Sequence, residues 1–115
     1  MAFTLYGIPN CDTVKKARDW LNAREIAFLF HDYKRSGVDA ALLNHLCAMF
    51  GWEKVLNRAG TTFRKLADVD REGIDAAKAV ALMKLNPSCI KRPILEFSGG
   101  FLLGFKEVEW SAALN

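Results

Sequence analysis

The segment YGIPNCDTVKKARDWL, Tyr6 to Leu21, sets a single cysteine where a short loop runs into a helix-patterned stretch. A thiol attacks as its thiolate, and an ordinary cysteine, with a pKa of about 8.5, is mostly protonated at neutral pH. The first turn of a helix exposes backbone N–H groups with partial positive charge, so a sulfur placed there is stabilised as an anion. Cys11 occupies that place. Lys15, one turn further in, adds positive charge while Asp12 opposes it, so the expected pKa is lowered but not extreme. The position that would complete a Cys-x-x-Cys motif is Val14, which leaves no partner for a disulfide within the motif. The chemistry must then finish on an outside thiol such as glutathione, or on Cys47 or Cys89. Cys47 lies between Leu43 and Phe50 on an apolar helix face and reads as core filler. Cys89 precedes IKRPIL and reads either as a plain thiol or as one close to the active loop.

The elements that must position this cysteine follow from local pattern. FTLYG (Phe3 to Gly7) is aromatic and β-branched, closed by Gly and Pro, and reads as a strand. Asp12 or Thr13 caps the next helix, in which Val14, Ala17 and Leu21 recur at helical spacing with Trp20 beside them. Ala27 to Tyr33, AFLFHDY, reads as a second strand, completing a βαβ unit with parallel strands. After the Ser36-Gly37 break, Leu42, Leu43, Leu46, Cys47 and Phe50 form one apolar helical face. WEKVLN and Asp75 to Leu85 give further helices, the second with Ala76, Ala79, Val80 and Met83 on one side and stopped by Asn86-Pro87-Ser88. PILEF and FLLG around Ser98-Gly99-Gly100 are a hairpin signal, and KEVEWSAAL supplies a last helix.

The predicted fold is therefore α/β and thioredoxin-like: βαβ, a helical insertion, a β-hairpin and a C-terminal helix, with a mixed four-stranded sheet. One domain is expected over residues 1–115, the insertion covering about 38–86. A chain of 115 residues, half of them hydrophobic, can bury such a core without staples. In this fold the chemistry sits where the first helix begins, and the loop before the third strand, with its proline, abuts the active cysteine. Pro93 opens that strand, where its missing N–H breaks little. The Arg92-Pro93 bond is expected to be cis, with Arg92 held over the Cys11 sulfur. A guanidinium there can take an oxyanion or a carboxylate in a bidentate fork.

The formal charge of +3 suits small anionic substrates but not nucleic acid, because the basic residues are scattered in short pairs. The N-terminus has no basic region followed by a long apolar run, and no stretch reaches membrane-spanning length. Three cysteines without a secretory signal point to reduced thiols in the cytoplasm. His31 and His45 stand apart from each other and from any cysteine pair, so no metal site is expected.

YGIPNCDTVKKARDWL, NRAGTTFRKL, NPSCIKRPIL and GGFLLGFKEVEW, taken together and in this order, resemble the arsenate reductase (ArsC) family and most of all its YffB subgroup. The resemblance covers essentially the whole chain. It implies a thiol-redox enzyme in which a cysteine, matching Cys11, attacks arsenate, three arginines hold the oxyanion, and glutathione with glutaredoxin completes the cycle. One arginine matches Arg92; the other two positions fall on Asn57, beside Arg58, and on Gly104. Each charge-assisted hydrogen bond contributes about 1.5–3 kcal/mol, so their loss points away from arsenate and towards glutathione or a thiol substrate. The expected activity is a monothiol, glutathione-dependent thiol–disulfide oxidoreductase, with Cys11 and Arg92 catalytic. Asn10, Lys15, Arg58, Lys91 and Pro93 are the expected substrate-binding residues. No tightly bound cofactor is expected, glutathione acting as co-substrate. The alternatives are arsenate reduction and an Spx-like regulator that binds RNA polymerase; the latter's redox switch resembles a Cys-x-x-Cys where this chain reads CDTV.

Overall fold

The computed structural model describes residues 3–98 and 100–114. Its residues fall into two compact units, one made of the chain up to Asp32 with the chain from Arg92 onward, the other of Tyr33–Lys91. The expected insertion, 38–86, lies within the second.

The first unit is built on strands β1 (Thr4–Gly7), β2 (Leu29–Asp32), β3 (Ile94–Phe97) and β4 (Gly100–Leu103). They form one sheet in the order β2-β1-β3-β4. β1 and β2 are parallel, joined by helix α1 (Asp12–Ala23), whereas β1 with β3 and β3 with β4 run antiparallel. This is the mixed sheet of a thioredoxin-like fold. Register sets Phe30, Leu5, Leu95 and Leu102 in one row across the four strands. By pleat alternation that row lies on one face, and it joins Ala17, Trp20 and Leu21 of α1 and Trp110 in the core. The final helix, Glu107–Leu114, carries Trp110.

Two local choices fix where α1 begins. Val14 is wholly buried and packs so tightly on the end of β1 that a Cβ at Gly7 would stand 2.8 Å from its Cγ2. Only glycine admits that approach. Second, the expected cap is corrected: neither Asp12 nor Thr13 but Cys11 is the N-cap, in extended conformation, and no side-chain oxygen caps the helix. The sulfur stands where a capping oxygen would.

The second unit is helical: α2 (Tyr33–Ser36), α3 (Ala40–Phe50), α4 (Trp52–Val55), α5 (Thr61–Arg64), α6 (Asp68–Arg71) and α7 (Ala76–Leu85), then a 3₁₀ turn, Pro87–Cys89. The final helix is accordingly α8. Asp39 caps α3 by accepting from the N–H of Ala41, and Asp75 caps α7 by accepting from that of Lys78. α3 packs against α7, with Leu43, Leu46, Cys47, Ala79, Val80 and Met83 buried. Leu56 and Ile90 form an antiparallel bridge, clasped by Asn57 N–H donating to Cys89 O (2.7 Å) and Lys91 N–H to Val55 O (2.8 Å).

Several boundaries differ from expectation. The second strand was expected over Ala27 to Tyr33, but Tyr33 is buried and starts α2, its hydroxyl donating to Lys91 O. WEKVLN is helical only to Val55, because Leu56 turns extended to make its bridge. Ala76 is exposed rather than on the buried side of α7. Gly99 of the hairpin signal lies outside the described residues.

Candidate functional site

Cys11 is partly exposed at the mouth of α1. Its carbonyl accepts the first helical hydrogen bond, from Lys15 N–H at 2.9 Å. Burial by itself would push the thiol up, since it penalises the charged form. The backbone N–H of Val14, a hydrogen bond from Arg92, the N–H of Thr13 and the Arg92 charge act the other way, and the net pKa is lowered. The helix mouth and one guanidinium thus outweigh desolvation. Lys15 and Asp12 are not among the groups that move it. That corrects the expected electrostatics: both residues are exposed, where water screens their charges.

Arg92 stands on the last residues before β3. Its peptide bond to Pro93 is cis, as expected, and Pro93 is buried. Pro93 O accepts from Gly104 N–H at 2.8 Å, which extends the β3–β4 ladder by one step. Of the expected substrate-binding residues, Asn10, Lys15 and Pro93 belong to the same unit as Cys11 and Arg92, with Asn10 and Lys15 exposed. Arg58 and Lys91 belong to the other unit. Arg58 is exposed, its guanidinium 5.2 Å from the centre of the Trp52 ring. Lys91 is exposed, with both its backbone groups bonded inside its own unit.

The other two thiols differ from Cys11. Cys47 and Cys89 are buried and unbridged, both in the second unit. Burial, with the nearby charge of Glu53, pushes the Cys47 pKa up. Cys89 is 1% exposed.

The positions where the resemblance expects further arginines have structural occupations. Asn57 accepts at Oδ1 from Ala59 N–H (3.2 Å) and fixes its own loop. Gly104 is buried with φ +73°, a region where a side chain is strained. Its two backbone groups are bonded to Pro93 O and to the Trp110 indole. The bonds of Gly104 to Pro93 and to Trp110 were not legible in the sequence, since only long-range pairing brings these residues together. The bond between Tyr6 and Glu96 was not legible either. The Tyr6 hydroxyl donates to Glu96 Oε1 at 2.7 Å, and its ring centre lies 5.0 Å from that of His31. Burial first, then the bond to Glu96 and its charge, raise the Tyr6 pKa well beyond the usual range. The signal was parity: Tyr6 and Glu96 each neighbour a core residue of the Leu5–Leu95 pair and so share the opposite sheet face.

A groove between the later turns of α1 and the start of α8 is lined by Lys16, Trp20, Arg24, Phe105, Lys106 and Val108. It contains neither Cys11 nor Arg92. Among the described residues no group of three His, Cys, Asp or Glu side chains could hold a metal ion, and no helix is long and apolar enough to cross a membrane.

A four-stranded mixed sheet with a cysteine at the start of its first helix and a cis proline opening the third strand defines a thioredoxin-like protein. Within that class the chain belongs to the ArsC family, whose model matches residues 6–113. It is similar to the solved YffB protein, with 53% identity and a TM-score of 0.95 over 98% of this chain and 99% of that one. It also resembles an arsenate reductase (ArsC) related protein from Brucella melitensis, at 51% identity and a TM-score of 0.76, covering 97% and 93% of the two chains. The global transcriptional regulator Spx of Streptococcus mutans is 30% identical over 113 residues, 96% of this chain and 82% of Spx.

Proposed function

We propose that this protein is a monothiol thiol–disulfide oxidoreductase that uses glutathione as co-substrate. The observation that carries it is the place of Cys11 as the N-cap of α1, where helix-mouth N–H groups and Arg92 lower its pKa, in a motif whose fourth position, Val14, is buried and carries no thiol. In the first step the Cys11 thiolate attacks the glutathione sulfur of a mixed disulfide R–S–S–G. A Cys11–glutathione disulfide forms, and the substrate leaves as a thiolate that takes a proton from water. In the second step a glutathione thiolate attacks the glutathione sulfur of that adduct, expelling the Cys11 thiolate and leaving oxidised glutathione. Net, one glutathione thiol and one mixed disulfide become one substrate thiol and oxidised glutathione. Arg92 holds Cys11 ionised before the first step and stabilises it as leaving group in the second.

The missing arginines weigh against arsenate as the substrate. A side chain at Gly104 meets a left-handed backbone, and Asn57 is committed to its loop. Arsenate-dependent NADPH consumption in an assay coupled through glutathione, glutaredoxin and glutathione reductase tests this; the expected result is no turnover above the protein-free blank.

The central test incubates reduced protein with oxidised glutathione and takes the intact mass. One adduct is expected on the wild type and none on Cys11→Ser. Adducts spread equally over the three cysteines contradict the proposal. A second reading, favoured by the 30% identity to Spx, is docking on RNA polymerase without catalysis. A pull-down with purified polymerase separates the two, and a clean negative retires it.

A further inference from the structure

We propose that Trp110 is a positioning residue for the Cys11–Arg92 pair, acting from α8 through Gly104 and Pro93. The inference rests on the Cys11–Arg92 reading above and concerns what holds that pair in place.

Trp110 is wholly buried, so packing alone would account for a phenylalanine there as well. Its indole N–H, however, donates to Gly104 O at 3.0 Å. Gly104, at φ +73°, in turn donates its N–H to Pro93 O at 2.8 Å. Pro93 is the residue after Arg92. Hydrogen bonds therefore run without a gap from the core of α8 to the backbone that carries the guanidinium. The same indole meets the Trp20 ring in a T-shaped contact, with centres 5.8 Å apart and planes at 90°. Trp20 lies on α1, the helix that Cys11 opens. That contact is packing between rings, whereas the indole N–H is tied through Gly104 to the backbone next to Arg92. An arginine has many rotamers, and it can act on a single sulfur only if its Cα is held.

Trp20 supplies the internal comparison. It packs in the same core, yet its buried indole Nε1 has no hydrogen-bond partner among the described residues. Replacing Trp20 by Phe removes ring volume and an idle N–H. Replacing Trp110 by Phe removes similar volume and a link to the site.

The test is the pH profile of iodoacetamide alkylation at Cys11, read by mass spectrometry in wild type, W110F, W20F, R92Q and W110F/R92Q. Folding of each is checked by circular dichroism. W110F and R92Q are expected to move the Cys11 midpoint upward, W110F slowing alkylation at pH 7 by about two- to fivefold. W20F is expected to leave the midpoint in place, and the double variant to move it no further than R92Q alone. A shift in R92Q without one in W110F, or equal shifts in W110F and W20F, overturns the role of Trp110 and leaves the Cys11–Arg92 reading standing. No shift in R92Q overturns both. Should W110F not fold, the indole N–H resonance of Trp110 in the wild type is followed by NMR across the same pH range. It is expected to titrate with Cys11 and to stay flat in Cys11→Ser; a flat trace in the wild type overturns the proposal.

Discussion

Arg92 donates a hydrogen bond to the Cys11 sulfur from the strand side, while the N–H groups of Val14 and Thr13 act on it from the helix side. The thiolate is thus held from two elements that are 81 residues apart in sequence and adjacent through the β1–β3 pairing. The helix mouth supplies partial charges that weaken with exposure, and Arg92 supplies a full charge that does not follow the helix.

Arg92→Lys separates charge from geometry. A lysine keeps the positive charge but not the planar fork, so its Cys11 midpoint is expected to fall between those of the wild type and Arg92→Gln. Pseudo-first-order alkylation against pH measures it. A lysine variant equal to the wild type would show that charge alone is sufficient.

The lowered pKa also couples Cys11 to stability, and the sign is fixed. Because the folded-state pKa lies below the unfolded one, the folded protein binds fewer protons between the two values. Its stability relative to Cys11→Ser is expected to be largest above the unfolded pKa and to be lost as pH falls through the folded pKa. Urea midpoints for the two proteins, taken from pH 6 to 10, check this. A difference that shrinks as pH rises contradicts it.

At Gly7, alanine is expected to destabilise by about 1–3 kcal/mol, since its Cβ would sit 2.8 Å from Val14 Cγ2. Val14→Ala alone is expected to cost about 2 kcal/mol from lost burial. In the double variant the two effects are expected to be less than additive, with a coupling of about 0.5–3 kcal/mol. Simple additivity in thermal unfolding would mean that β1 does not meet α1 through this pair.

Gly104→Arg, the substitution that would restore an arginine after the hairpin, is expected to destabilise without conferring arsenate reduction. The left-handed backbone costs about 1–2 kcal/mol for a residue with a Cβ, and the site is buried. Thermal unfolding and the coupled arsenate assay check the two halves. A stable variant that turns over arsenate contradicts both.

Much of this architecture was legible because its signals are local. The period of Val14, Ala17 and Leu21 gave α1, and the aromatic and β-branched runs gave the strands. Cys11 was legible as a site because the end of the loop and the start of the helix pattern meet there, and the cis bond followed from where Pro93 sits in the fold. The cap itself was misassigned, since Asp and Thr are common caps and sequence does not show a sulfur standing in for oxygen. The end of β2 was missed because Tyr33 looks like a strand residue, whereas its burial and its bond to Lys91 O are tertiary. The same holds for Trp110, Gly104 and the Tyr6–Glu96 pair. Their partners lie far away in sequence and are fixed only by sheet register. Lys15 and Asp12 were given weight by proximity along the chain, which overstates exposed charges.

Alkylation of each cysteine across pH, in the native protein and again in denaturant, tests the ionised Cys11 most directly. In the native protein Cys11 is expected to react with a midpoint below its own denatured value, while Cys47 and Cys89, buried as they are, react slowly until the chain unfolds. A native Cys11 midpoint at or above the denatured one, or the three thiols reacting alike, would contradict the account.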